Sequence, residues 1–196
     1  MESRAGIRGA IFFFLLVLIA CGNLRYSQLA PEAGTFHPKR IGVLPIEAFP
    51  YGEAKNSVDR TIAEILIDKN WFTSVVGGEV IDKQSKSNEE FTKVKAAYLA
   101  KLKLVNFSDP EMSRQIGHIY NIDAFLVVDI DYWNYTVVND DKIAKVGLTM
   151  KVVEASTGTV MWNATHSIEK TYVIFKPDLS DLAKTLMKQM VRRMPH

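Results

Sequence analysis

The sequence predicts an α/β fold (an α+β sandwich), built on a single mixed β-sheet with a parallel β-α-β start, a C-terminal antiparallel meander and packing helices. Near the start of the domain, a short apolar run at 41–45 and a second short strand segment at 72–76 flank a segment of helical spacing, which is typical of a parallel strand pair. Nearer the carboxyl end, two alternating segments are separated by a short turn at 156–158, which indicates an antiparallel hairpin. A chain of 196 residues without an internal repeat is expected to bury one core.

A strand, a helix and a second strand make up the predicted parallel start. The run 41–45 is rich in β formers and ends at a proline, which is consistent with a buried strand. Apolar residues then recur at helical spacing over 58–66, with Ser57 as the helix cap and Asn70 near the helix end. The second strand is expected at 72–76.

Two helices are predicted between this pair and the meander. Residues 79–88 are polar and are expected to form an exposed connection. In a capping box, a hydroxyl at the cap is followed three positions later by Glu, and this pattern begins helices at Ser87 and at Ser108. The apolar face of the first helix extends to Leu102, and the second helix ends near Asn121.

The meander is expected to contain three strands, followed by a last helix. The segment 124–135 predicts a central strand that starts buried on both faces and continues through aromatic residues. Residues 142–153 alternate, with a slip near Ala144 that indicates a β-bulge, and 160–168 form the returning strand. The apolar, methionine-rich stripe of the helix at 179–194 is interpreted as core, with an adaptable interface as the alternative.

The amino end has the pattern of a secretory signal. Two arginines precede the apolar run 11–20, which is too short to span a hydrocarbon core that needs roughly 20 residues. Leu18, Ile19, Ala20 and Cys21 resemble the lipobox of bacterial lipoproteins, and Cys21 is the only cysteine of the chain. The resemblance implies a diacylglyceryl group on the Cys21 thiol and an acylated new amino terminus. The alternative is a free thiol buried in the core.

These patterns divide the chain into a signal peptide at 1–20, a lipidated cysteine with a flexible tether at 21–39, and a periplasmic α/β domain at 40–196. Gly22 stands where Asp retains such lipoproteins at the inner membrane of enteric bacteria, so the outer membrane is expected. Without the signal, 22 basic and 21 acidic residues remain, a balance that gives no reason to expect nucleic acid as a partner.

Three segments of the domain resemble a known group of proteins. They are 41–45 at its start, 121–128 near its middle and 153–162 in the hairpin. Together they resemble a family of bacterial lipoproteins of unknown function, whose soluble part is similar to the amino-terminal domain of TolB and to the core of the curli-secretion lipoprotein. Glu154 stands where these families usually carry Asp. The resemblance implies an envelope domain that binds other proteins, and it implies no chemistry.

The sequence contains no nucleophile, phosphate-binding or dinucleotide-binding motif. Its histidines have no zinc-ligand spacing and there is no second cysteine, so neither a metal nor a cofactor is expected. The four histidines are His37, His118, His166 and His196.

Two carboxylates are the strongest candidates for chemistry. Asp129 and Asp131 lie two apart on a predicted strand and therefore point to one face. We interpret them as the solvent-facing side of a strand end, with Lys142 or Lys145 nearby. The alternative is a lipid-anchored hydrolase or small-ligand-binding protein that uses these carboxylates and the neighbouring aromatic residues.

An aromatic cluster is the remaining candidate site. Tyr132, Trp133 and Tyr135 occupy strand positions, and they are either core filling or a partner-binding patch. The sequence favours a lipid-anchored periplasmic protein that acts without catalysis, as an adaptor or assembly component of a cell-envelope or secretion complex. Its expected partners are the membrane, through acyl chains on Cys21, and other envelope proteins, and a homo-oligomer is left open.

Overall fold

The computed structural model describes residues 24–45 and 50–196 of the chain. The strands are Tyr26–Leu29 (β1), Arg40–Val43 (β2), Ser74–Val76 (β3), Ala124–Val138 (β4), Asp141–Glu154 (β5) and Val160–Tyr172 (β6). The helices are Gly52–Lys69 (α1), Gly78–Lys86 (α2), Glu89–Leu104 (α3), Pro110–Tyr120 (α4) and Leu179–Val191 (α5). All six strands form one sheet in the order β1-β6-β5-β4-β2-β3.

The sheet is mixed, as the sequence predicts. β2 pairs in parallel with both β3 and β4, while β4, β5 and β6 form an antiparallel meander. The α1 helix connects the parallel strands β2 and β3, which confirms the β-α-β start. The predicted fold class is therefore confirmed.

Helices cover the sheet in two layers. α1 and α5 pack on one face, where the even-numbered residues of β5 from Ala144 to Val152 and Trp162 of β6 are buried. α2, α3 and α4 pack on the other face, over Phe125 and Val127 of β4. The methionines of α5 belong to the first layer, with Met187 and Met190 buried, so the stripe predicted as core is core.

The segment before the domain is not only a tether. The predicted tether at 21–39 contains a strand in its described part, because β1 pairs antiparallel with β6, with Tyr26 opposite Thr165. A short 3-10 helix follows at Pro31–Thr35. All four side chains of β1 are exposed, so the strand has no hydrophobic alternation by which to recognise it. Its stability comes from backbone hydrogen bonds to β6.

Two helix positions also differ from the prediction. The polar segment 79–88 is not a loop: it forms α2, which buries Ile81 completely under the sheet. One buried position in each turn is enough to hold a helix that is otherwise exposed. The α1 helix begins at Gly52 rather than at Ser57, without a side-chain cap.

The residues that cap α3 and α4 are each one position later than predicted. Asn88, not Ser87, caps α3, and its side chain accepts a hydrogen bond from the Phe91 amide at 3.2 Å. Asp109, not Ser108, caps α4. Asn and Asp are at least as effective as Ser at this position, which explains the shift.

Candidate interaction surface

The lipid-attachment motif cannot be placed in the fold. Leu18, Ile19, Ala20 and Cys21 all lie outside the residues that the structure describes. The first described residue, Leu24, packs partly buried against the core under α1 and α5. The predicted attachment residue, Cys21, is therefore only three positions before a residue that packs against the domain.

A β-bulge in β4 decides where the aromatic candidates point. The register between β4 and β5 shifts between Ile130 and Tyr132, so Asp131 is the extra residue. The predicted bulge near Ala144 is wrong, because Ala144 is fully buried in phase with the other even-numbered residues of β5.

The three aromatic candidates have three different environments. Trp133 is 7% exposed and fills the core, which corrects its assignment to a partner-binding patch. Tyr135 is half-buried against the same core, and its hydroxyl donates a hydrogen bond to the Pro177 carbonyl at 2.7 Å. Tyr132 lies on the opposite face and is 39% exposed. Of these three residues, only Tyr132 therefore presents an exposed ring.

The two carboxylate candidates lie close together beside Tyr132. Asp129 is 3.9 Å from the Lys103 ammonium, so its lysine neighbour comes from α3 and is neither Lys142 nor Lys145. Burial raises the pKa of Asp131, and the charge of Asp129 raises it further. A hydrogen bond from the Thr149 hydroxyl acts in the opposite direction and lowers this pKa. The carboxylates share one face, as the spacing predicts, and the charge of Asp129 acts on Asp131.

Part of the sheet is left bare beside these residues. Residues of β4, β5 and β6 and the start of β1 together border an open hollow of about 650 Å³, and none of the helices lines it. We call this surface the open sheet face, and it is lined by Arg25, Tyr26, Asp131, Tyr132, Thr149 and Thr165. It combines two exposed tyrosine rings with hydroxyl groups, one carboxyl and one guanidinium.

Hydroxyl groups link the strands across this surface. The Thr149 hydroxyl donates a hydrogen bond to Oδ2 of Asp131 at 2.9 Å and lies 2.9 Å from the Thr165 hydroxyl. The ammonium of Lys145 lies 4.2 Å above the Tyr132 ring, within the range of a cation–π interaction. These contacts hold Asp131 and Tyr132 in defined positions on the surface.

Sequence reasoning missed most of the open sheet face. Arg25 and Tyr26 fall in the segment taken as a tether, so no pattern could find them. Thr149 and Thr165 are paired polar residues in β5 and β6. Because apolar and polar residues alternate along these strands, the sequence does indicate that both threonines face away from the apolar side of the sheet. Their meeting with Asp131 depends on strand pairing between residues far apart in the chain.

An exposed apolar cluster lies at one end of the sheet. Val137 pairs with Lys142, which in turn pairs with Tyr172, so the tip of the β4–β5 hairpin and the end of β6 lie level. We call the exposed apolar residues at this end the apolar tip, and they are Val137, Val138, Val173, Ile174 and Phe175. The sequence analysis did not single them out.

The histidines do not form a site. The imidazole of His196 stacks on Trp71 at 3.8 Å, and Nδ1 of His37 lies 3.0 Å from the His196 carbonyl. Nδ1 of His166 accepts a hydrogen bond from the Arg25 amide at 3.3 Å, and burial lowers the pKa of His166. Within 24–45 and 50–196, no cluster of three or more His, Cys, Asp or Glu residues is arranged to hold a metal ion.

No helix in these same ranges has the length and apolar character to cross a membrane.

A second hollow, of about 780 Å³, lies at the opposite end of the sheet, near the start of β2 and β4. Its lining includes Lys39, Arg40 and Arg114 together with Asp123 and Glu154, and Asp123 makes the most hydrogen bonds that link these segments. One carboxylate oxygen accepts hydrogen bonds from the amides of Lys39 and Arg40, at 3.0 and 2.9 Å, and the other accepts one from the Arg40 guanidinium at 2.7 Å. These bonds tie β2 to β4 and leave this carboxylate engaged with the protein itself.

The chain was compared with known proteins at the level of sequence and of structure. No family model matches its sequence. No protein with a curated description matches it either.

Solved structures do share its fold. The PelC dodecamer from Paraburkholderia phytofirmans matches with a TM-score of 0.53 and 15% identity, over 87% of this chain and 98% of that chain. Lipoprotein GNA1162 from Neisseria meningitidis matches with a TM-score of 0.55 and 18% identity, over 80% and 97%. The hypothetical protein CT253 from Chlamydia trachomatis matches with a TM-score of 0.51 and 9% identity, over 79% and 94%. The resemblance to bacterial lipoproteins that the sequence suggested is therefore confirmed at the level of the fold.

Proposed function

We propose that this chain is a lipoprotein, anchored by acyl chains on Cys21 at the periplasmic face of the outer membrane, and that it acts without catalysis. Its role is that of an adaptor or assembly component of a cell-envelope complex. The open sheet face carries the proposal, because a sheet otherwise covered by helices leaves two tyrosine rings and a row of hydroxyls bare. Exposed tyrosines are enriched where proteins bind one another.

Three observations support the anchor. The lipobox residues precede Cys21, the apolar run before them is too short to span a membrane, and a solved lipoprotein has the same fold. The first measurement is metabolic labelling with a fatty-acid analogue in wild type and Cys21→Ala, followed by membrane fractionation. Label should appear in wild type only. Unlabelled wild type would remove the anchor from the proposal.

The choice of membrane has its own test. Gly22→Asp introduces the residue associated with inner-membrane retention in enteric bacteria, whereas Gly22→Ala serves as the matched control. In such a host, the Asp variant is expected to shift to the inner-membrane fraction and the Ala variant to stay with wild type. Equal distribution of all three proteins would contradict the outer-membrane assignment.

The adaptor role is tested by photocrosslinking in cells. A photoreactive phenylalanine analogue replaces Tyr132 in the anchored full chain, and the same analogue replaces Ile119, which is 47% exposed on α4, as the control. We expect a defined adduct with an envelope protein from position 132 only. Loss of that adduct on Tyr26→Ala would tie it to the open sheet face. Identical adduct patterns from both positions, or none, would contradict docking at this surface.

Self-association is a specific form of the same role. The PelC structures with this fold are described as dodecamers. Native mass spectrometry of the solubilised full chain decides whether a second copy is among the partners. An oligomer that Tyr132→Ala dissociates would place the open sheet face between copies, and a strictly monomeric protein would leave the adaptor role to other envelope proteins.

A second candidate function is binding of a small polar ligand in the same hollow, or its hydrolysis there. Asp131 favours it, because this carboxyl has a raised pKa and faces the hollow with Thr149 beside it. The double variant Asp129→Asn, Asp131→Asn tests this function, with Asp140→Asn, Asp141→Asn at the exposed turn as the control. A double variant that keeps every cellular phenotype removes this candidate.

A further inference from the structure

The apolar tip contains the most exposed apolar side chains of the described residues. Val173, Ile174 and Phe175 are consecutive and are 82%, 82% and 89% exposed, and Val137 and Val138 beside them are 63% and 49% exposed. Single exposed apolar residues are common on protein surfaces. Five such residues at one end of a domain, three of them consecutive, instead indicate a surface that a membrane or another protein covers.

The loop at 173–177, which contains three of these residues, is fixed by contacts with Tyr135. The Tyr135 hydroxyl donates to the Pro177 carbonyl at 2.7 Å, and the Lys176 ammonium lies 3.5 Å above the Tyr135 ring. The ring of Tyr135 also packs edge-on against Tyr172. Tyr135 therefore fixes the base of the loop, so the apolar residues before Pro177 are presented away from the core.

The direction of the strands places the tip at the end of the sheet where β1 begins. β1 is antiparallel to β6, so from Leu29 back to Tyr26 the chain runs the same way as β6 does from Thr165 toward Val173. The eight residues of that stretch of β6 and its continuation cover about 26 Å. The five residues back to Cys21 reach at most about 18 Å.

Because Cys21 can lie at most about 18 Å along that direction, the tip reaches at least about 8 Å beyond it, which is within the depth at which interfacial apolar segments sit. Lipid headgroups add about 5–8 Å on each side of the hydrocarbon core, so acyl chains on Cys21 and the tip would enter the same leaflet. The charges around the tip are mixed: Lys142, Lys170 and Lys176 against Asp140 and Asp141. Apolar contact, rather than attraction to anionic lipid, is thus the main contribution to binding of the tip to the membrane.

We propose that the apolar tip inserts into the leaflet that holds the acyl chains of Cys21. This second contact makes the strands stand upright on the membrane, so the open sheet face looks sideways, along the bilayer plane. A partner in the same membrane then meets that face directly. The inference rests on the proposed anchor, because the position of Cys21 determines where the bilayer lies.

The test places a fluorescent reporter at the tip of the full-length, lipidated protein. Phe175→Trp is reconstituted into vesicles of phosphatidylethanolamine and phosphatidylglycerol, with or without brominated acyl chains. Phe107→Trp is the matched control, since Phe107 is 52% exposed in the loop between α3 and α4, on another part of the domain. The wild-type signal from Trp71, Trp133 and Trp162 is subtracted.

The added tryptophan at 175 should show blue-shifted emission that brominated lipid quenches, while the one at 107 should show neither effect. Equal, unquenched emission from both would overturn the inference. Blue-shifted but unquenched emission at 175 would also overturn it, in favour of a protein partner or a second copy covering the tip. Fatty-acid label on the same samples separates the two proposals: labelled protein with an unquenched tip refutes insertion alone.

A second measurement needs no new tryptophan. Amide hydrogen exchange is followed on vesicles for lipidated wild type and for the triple variant Val173→Ser, Ile174→Ser, Phe175→Ser. Exchange at 172–177 should be slower in wild type, with the loop at 105–109 equal in both proteins. Equal exchange at 172–177 in the two proteins contradicts insertion.

Discussion

Gly147 lies directly beneath the ring of Tyr132. The two residues are opposite each other in β5 and β4, immediately after the bulge. A Cβ atom at position 147 would overlap Cδ2 of the ring, which no ordinary contact allows. The absence of a side chain at Gly147 thus leaves the space in which the Tyr132 ring packs against β5.

Gly147→Ala is expected to displace the Tyr132 ring and to destabilise the domain by about 1–3 kcal/mol, as overpacking does. The Lys145 ammonium would also lose its position over the ring. Urea unfolding measures the change in free energy. Gly34→Ala is the control, because a Cβ there meets nothing within 4 Å. Adding Tyr132→Ala to Gly147→Ala should restore most of the loss, and no recovery would show that the ring is not the obstacle.

Asp131→Asn should raise the melting temperature at pH 7. Burial raises the pKa of Asp131 above its ordinary value of 3.8, so the folded state binds this proton more tightly than the unfolded state does. The stability that the protonated Asp131 carboxyl gives the folded state is therefore present below pH 3.8 and is lost as the pH rises through the folded-state pKa. Asn remains uncharged and can still accept from Thr149. Thermal unfolding from pH 3 to 7 should show the gain growing with pH, and a constant difference would contradict it.

Asp123→Asn should show the opposite pH dependence. The Arg40 side-chain hydrogen bond is the main cause that lowers the pKa of Asp123, with burial opposing it and the amides of Arg40 and Lys39 helping. Stability from this carboxylate is therefore present above pH 3.8 and lost as the pH falls through the folded-state pKa. The variant should lose melting temperature at pH 7 and approach wild type in acid. An unchanged deficit across this range would mean that the charge is not responsible.

Asn88→Ala should destabilise the protein by about 1 kcal/mol, the typical effect of removing a helix N-cap. The Asn88 side chain is what accepts from the Phe91 amide. The neighbouring hydroxyl of Ser87 instead donates to the Gln84 carbonyl at the end of α2. Ser87→Ala is therefore the matched control, with a smaller expected loss in chemical unfolding. The reverse order would restore Ser87 as the cap.

Local patterns in the sequence were enough for much of the architecture. Helical spacing between two apolar runs predicted the β2–α1–β3 unit, and alternation across a glycine turn predicted the β5–β6 hairpin. Both signals work because each element carries its own buried face within a few consecutive residues. The lipobox before Cys21 is likewise a local pattern, independent of the fold.

Only the tertiary structure decided which of these residues form a surface. β1 is held by backbone pairing to β6, which its polar sequence does not encode. One extra residue, Asp131, puts Trp133 in the core and Tyr132 on the open face, and nothing in the local sequence locates that bulge. The open sheet face joins residues up to 140 positions apart, from Arg25 to Thr165. Such proximity comes from strand register, which is set by packing across the whole sheet rather than by neighbours along the chain.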